Sequence, residues 1–164
     1  MTVTDYATYI AGLPRVLAAS AALFRDDRDR ILVLEPNYRE GWVLPGGTVE
    51  SDTGETPRQA ARREAEEEIG LDVPLGPLLA VDWAQSTTRP PIVAYLYDGG
   101  VLSAEQFARI RLQEAELVSW KLIERSEVAA HLPGSLGSRV LAGLEVLDGG
   151  RGPAELENGR PAAG

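Results

Sequence analysis

Cysteine is missing from the 164-residue sequence, so disulfides and thiolate metal sites are excluded. Histidine occurs once, as His131, far from the residues singled out below, and it reads as structural. Long apolar runs are also missing. No stretch approaches the ~20 apolar residues of a membrane span. The opening MTVTDYATYIAGLPR lacks the basic region and apolar run of a secretory signal. A cytoplasmic protein with no membrane partner is the expectation. Basic residues are outnumbered, 16 against 25 acidic, for a net charge of −9. That balance argues against a nucleic-acid polymer as partner, which requires a basic face. A small anionic substrate is compatible only where metal ions invert the local field. No repeat of solenoid length occurs. The hydrophobic fraction of 44% and the chain length favour one domain with one core.

What is present centres on Gly46 to Leu71, GGTVESDTGETPRQAARREAEEEIGL. The second half reads as one helix. Thr56 is a suitable N-cap, Pro57 suits the first helical position, and Gln59 completes a capping box. Gly70 suits the left-handed residue that ends a helix. At about 100° per residue, Glu64, Glu67 and Glu68 share an arc about 100° wide. Ala61, Ala65 and Ile69 form an adjacent apolar stripe. Clustered carboxylates repel, and a hard divalent cation with oxygen ligands removes that cost. The competing explanation is an ordinary solvated face, with Arg63 and Glu67 as an i,i+4 pair. The glycine loop ahead of the helix, its cap, its stop and its spacing together favour the metal reading.

These residues resemble the Nudix box. Its second half reads here as Arg63, Glu64, Ala65, Glu66, Glu67, Glu68, Ile69, Gly70 and Leu71, and the leading Gly and first Glu as Gly47 and Glu55. Trp42-Val43-Leu44-Pro45-Gly46-Gly47 is also typical of the family. One departure is a two-residue insertion at the loop tip, so that seven residues, Thr48 to Gly54, separate Gly47 from Glu55. The box covers about a sixth of the chain. The resemblance implies an α/β/α sandwich with a mixed β-sheet. It implies Mg²⁺-dependent cleavage of a pyrophosphate bond in a nucleoside diphosphate derivative, with Mn²⁺ able to substitute. It implies metal ligation by Glu64, Glu67, Glu68 and the Gly46 carbonyl, and catalytic roles for Glu64 and for Arg63, which orients it. Gly47 and Glu55 support the loop. Glu116, then Glu114, are the candidates for a further carboxylate. Marks of ADP-ribose, dinucleoside polyphosphate and coenzyme A members are not found, so the substrate stays open among nucleotides, nucleotide sugars and related compounds. A monomer and a homodimer are both compatible. The alternative is a catalytically silent Nudix-fold module that binds a nucleotide as a sensor, to which only the lengthened loop points.

The rest of the chain organises around that box. Residues 1–14 carry Tyr6, Tyr9, Ile10 and Leu13 at near-helical spacing and form an N-terminal extension expected to pack on a domain spanning 1–148. Strands are expected over Val16–Phe24 and Ile31–Leu34 as a hairpin, then Trp42–Leu44, Val73–Gln85, Ile92–Tyr97 ended by Asp98-Gly99-Gly100, Ile110–Leu112, and within Glu114–Leu122. Ser103–Phe107, Glu124–His131 and Ser135–Leu147 read as helical. Residues 149–164, rich in Gly, Pro and charge, read as a disordered tail. Tyr38, Trp42, Trp83 and Tyr95 are the candidates for stacking on a base.

Overall fold

The computed structural model describes residues 2–164. An Ala-rich apolar segment forms strand β1 (Leu17–Arg25), central in an eight-stranded mixed sheet. One edge of β1 pairs in parallel with β5 (Ile92–Val101). The other edge is shared. Near its end β1 meets β2 (Ile31–Pro36) antiparallel at Arg25 and Ile31. Earlier, Ala19 to Ala21 pair antiparallel with β3 (Gly46–Thr48). The sheet therefore forks, and the glycine strand fills the fork. Outside β2 lies antiparallel β6 (Leu117–Ile123). Outside β5 lie antiparallel β4 (Leu78–Ala84), then parallel β7 (Ala154–Glu157), which closes a hairpin with β8 (Arg160–Pro161).

The fork moves the third strand. Trp42–Leu44, expected to be a strand, contributes only one bridge, Val43 to Leu34. The ladder forms at the glycines because only bare backbone fits there. An ideal Cβ on Gly46 would lie 2.5 Å from the Ser20 carbonyl oxygen and 2.7 Å from the Ala21 Cα.

Helix α2 (Pro57–Ile69) covers one face of the sheet and α5 (Ser135–Leu147) the other, which makes the expected α/β/α sandwich. Alternation along β1 divides the core. Ala22 and Phe24 join Ala65 and Ile69 of α2, while Leu23 joins Leu79, Leu96, Val140 and Leu144 under α5. Full burial of each such leucine stabilises by about 1.5–3 kcal/mol. The ends of α2 are those read from the sequence. Thr56 and Gln59 form the capping box, and Gly70 closes the helix at φ 71°.

Four expectations are corrected. β5 does not stop at Asp98. It continues to Val101, with an irregularity where the Phe24 ring occupies the space a Gly99 side chain would need. Ile110–Leu112 is a loop rather than a strand, because the Arg111 and Gln113 amides donate to the last-turn carbonyls of α2 at Ile69 and Glu68. The N-terminal stripe forms α1 (Val3–Ala11), but Tyr6 and Tyr9 are more than half exposed and Ile10 and Leu13 are exposed too, so the stripe covers no core. Residues 149–164 are ordered as a sheet element rather than a disordered tail. Leu156 alternates between two glutamates and is buried in the α5-side core. Asn158 and Gly159, both at positive φ, make the tight hairpin turn. The domain therefore extends beyond residue 148. Two short helices complete the chain, α3 (Ala104–Ala108), capped by Ser103, and α4 (Val128–His131). Among the described residues no helix is long and apolar enough to cross a membrane.

Candidate active site

The carboxylates of α2 meet the glycine strand edge-on. Glu68 is 4% exposed, and its Oε2 accepts a 2.8 Å hydrogen bond from the Gly46 amide. Glu64 stands against Gly47, where a Cβ would run into its carboxylate. Glu67, one turn beyond Glu64 and on the same flank, is more exposed. Burial pushes the Glu68 carboxyl up to about 8, opposed by the Gly46 amide and reinforced by the charges of Glu64, Glu116 and Glu67. Burial also raises Glu64, against the pull of Arg63 and with the push of Glu67 and Glu116.

Arg63 ties the group together. Its Nη1 donates to Glu64 Oε1 at 2.9 Å and to Glu67 Oε2 at 3.1 Å. Its Nε and Nη2 grip both oxygens of Glu55, and Nη2 also reaches the Thr48 carbonyl at 3.1 Å. The Arg63 hydrogen bond holds the Glu55 carboxyl below its ordinary value, and Glu55 is the chief cause of the raised value of Arg63 itself. The Glu50 amide donates to Glu55 Oε2 at 2.8 Å. The lengthened loop is absorbed by a single 3-10 turn, Ser51–Thr53, closed by left-handed Gly54, so the grip of Arg63 on Glu55 survives it.

Among the described residues no three His, Cys, Asp or Glu side chains form a ready-made metal cage. The reason is visible in the partners. Glu64 and Glu67 turn to Arg63, and Glu68 turns to Gly46. The donor set nonetheless fits a hard divalent cation. It is all oxygen, and its most buried member resists ionisation when no cation is near. Glu116 belongs to this group electrostatically, since its charge raises Glu68, Glu64 and Tyr38. Glu114 is not among those influences.

On the α5 side of the glycine strand lies a cavity of about 530 Å³. It exists because Ala19, Ala21, Ala84 and Ala94 line its sheet side and leave the start of α5 nothing large to rest on. Tyr38 and Tyr95 contribute to its walls. Two expected stacking residues do not. Trp42 packs on the core beneath Lys121, whose Nζ lies 4.2 Å from its ring centroid, and edge-on to His131. Trp83 sits between Asp82 and Ala84 on β4, so the pleat sends it to the opposite face. Sequence reasoning passed over three cavity residues, Arg39, Arg89 and Arg139. They lie in two loops and a helix, and only the sheet order brings them together. Arg139 is held by buried Asp82, with Nε and Nη2 at 3.1 and 2.9 Å from Oδ2. The Gly159 amide of the C-terminal hairpin donates to the other oxygen of Asp82 at 3.0 Å.

The family model of the NUDIX domain matches residues 14–141. Solved structures share the fold. A MutT protein from Methanosarcina mazei Go1 is 22% identical with a TM-score of 0.65, over 82% of this chain and 94% of that one. The NUDIX domain of Shewanella oneidensis NrtR, cocrystallised with ADP ribose, is 17% identical with a TM-score of 0.68, over 90% and 99%. An ADP-ribose pyrophosphatase from Streptococcus suis is 19% identical with a TM-score of 0.59, over 86% and 98%. At these identities the likeness bears on fold alone. A comparison with curated proteins gives no match.

Proposed function

Since the chain belongs to the NUDIX domain family, we propose that it hydrolyses a pyrophosphate bond in a nucleoside diphosphate derivative, with Mg²⁺ as cofactor and Mn²⁺ able to replace it. The observation that carries this reading is the convergence of Glu64, Glu67 and Glu68 on one arginine and one glycine strand at the edge of the cavity.

Glu67 and Glu68 are the residues that would hold the metal, with Glu64, Glu116 and the Gly46 carbonyl completing the set. Bound Mg²⁺ supplies charge stabilisation to the phosphoryl oxygens. Glu64 is the general base. Arg63 occupies its Oε1, and its Oε2 has no donor among the described residues, which suits it to accept a proton from water. Gly46 steadies Glu68 by its amide. Gly47, having no side chain, leaves the Glu64 carboxylate room at the strand. Glu55 acts through Arg63 and is a positioning residue.

The test is a panel of nucleoside diphosphate compounds assayed for phosphate or monophosphate release with and without Mg²⁺. Metal-dependent release from at least one compound is the expected result. No release across the panel, together with retained nucleotide binding, would replace the hydrolase by the binding-module reading.

A further inference from the structure

The cavity beside the glycine strand has a charge pattern at odds with the chain. The protein as a whole carries a net charge of −9. The residues lining the cavity include three arginines, Arg39, Arg89 and Arg139, and not one aspartate or glutamate. Among the described residues Arg39 and Arg89 make no ion pair, and the one side-chain hydrogen bond of Arg89 goes to the Pro90 carbonyl. Arg139 spends Nε and Nη2 on Asp82 and Ser135, while its Nη1 has no hydrogen-bond partner among the described residues. Two guanidinium groups without an ion pair, and the remaining nitrogen of a third that buried Asp82 already pairs, are gathered around one concave space and form a cationic lining.

The lining is apolar between these charges, with Leu44, Ile92 and Leu136 beside the alanines. Field lines concentrate in such a low-dielectric recess, so unpaired cations there attract anions more strongly than they would on an open surface. The carboxylates of α2 stand on the far side of Gly46 and Gly47 and carry the opposite sign. Tyr38 marks the junction, since it feels the positive charge of Arg39 together with the negative charges of Glu68, Glu116 and Glu64. The site is thus dipolar, with an acidic half suited to a cation-bridged diphosphate and a basic half in which, among the described residues, only Arg139 has an ion-pair partner.

We propose that the basic half binds a further phosphoryl group of the substrate, additional to the scissile diphosphate, with Arg39, Arg89 and Arg139 as its partners. The proposal rests on the hydrolase reading for the identity of the diphosphate half, but not for the preference itself. Guanidinium suits the role because its planar fork matches phosphate oxygens and keeps its charge at every working pH. Arg139 is fixed in place by Asp82, whereas Arg39 and Arg89 lie on exposed loops and can adjust to where the extra phosphate sits. The phosphate has two possible sources, an ester on the nucleoside ribose or an additional phosphate in the polyphosphate chain.

Calorimetric titration of the full chain without metal tests this independently of turnover. One arm compares ADP-ribose 2′-phosphate with ADP-ribose, and the other compares ATP with ADP. The expected result is binding at least about tenfold tighter for the more phosphorylated member of one or both pairs, as charge-assisted hydrogen bonds allow. A gap in only one pair identifies the source. In the Arg39→Gln, Arg89→Gln double variant the gap should shrink to within about twofold while the melting temperature stays unchanged, because both side chains are exposed. Equal affinities within both pairs, no binding of any of the four, or a gap that persists in the double variant would each overturn the proposal. Mg²⁺-dependent release from the same compounds is scored separately. Its absence there and across the wider panel would sink the hydrolase reading and leave the phosphate preference standing.

Discussion

Arg63 holds Glu55 through two nitrogens, Nε to Oε1 at 2.7 Å and Nη2 to Oε2 at 3.2 Å, across eight positions of sequence. The same guanidinium reaches Glu64 and Glu67 through its remaining nitrogen. One planar group therefore registers the loop against the helix. Lysine offers a point charge and cannot reproduce the fork. Arg63→Lys should lower kcat by about tenfold or more, with a smaller change in KM, because the aim of Glu64 is lost while the cavity is untouched. Steady-state kinetics with a substrate from the panel checks this. Unchanged kcat would remove Arg63 from its positioning role.

Glu67→Gln keeps the shape of its side chain and removes one charge from the acidic arc. Glu67 is largely exposed, so the fold should tolerate the change. Turnover should fall at least about a hundredfold from lost charge stabilisation. Wild-type turnover by this variant at saturating Mg²⁺ would refute its assignment as a ligand.

Glu68 makes stability depend on pH when metal is withheld. Burial raises its folded-state value from 4.5 to about 8. Its contribution to stability is complete below about pH 4.5 and is lost as pH rises through about 8. The metal-free protein should therefore unfold at lower urea near pH 8.5 than near pH 5.5, by on the order of a few kcal/mol. Glu68→Gln should flatten that slope, and so should Mg²⁺, which favours the ionised form. A slope of the same size in the Gln variant would show that Glu68 is not its source.

Leu156 tests the C-terminal hairpin. Its side chain is buried among α5-side core residues on β7. Leu156→Ala should cost about 2–5 kcal/mol, the usual range for such a truncation in a core. Urea titration reads it directly. A cost under about 0.5 kcal/mol would mean that the hairpin contributes little to the fold.

The site helix was legible because everything that defines it is local. Thr56, Gln59 and Gly70 set its ends within a few residues, and the arc of glutamates follows from helical geometry alone. The α/β/α layering followed from the resemblance carried by the same stretch. What escaped depends on pairings between distant segments. The fork at β1 moved a strand from Trp42–Leu44 to the glycines, where composition argues for a loop. The three arginines share a cavity only because β5 and β4 bring Arg89 and Asp82 alongside α5. The Asn158-Gly159 turn and the alternation around Leu156 were present as signals, but the Gly, Pro and charge of the flanking residues outweighed them. Trp42 and Trp83 lie outside the cavity lining, and composition does not reveal which face of a sheet or loop an aromatic takes.

Buried Asp82 takes hydrogen bonds from both the Arg139 guanidinium and the Gly159 amide. Besides the β7–β4 ladder and the burial of Leu156, this carboxylate joins the hairpin directly to the rim of the cavity. Thermodynamic linkage makes that a two-way coupling: whatever engages Arg139 also slows amide exchange at residues 154–161, and whatever pries the hairpin loose weakens what the cavity holds. A fusion partner placed after Gly164 would load that connection, so assays of ligand affinity are best run on protein tagged at the opposite terminus.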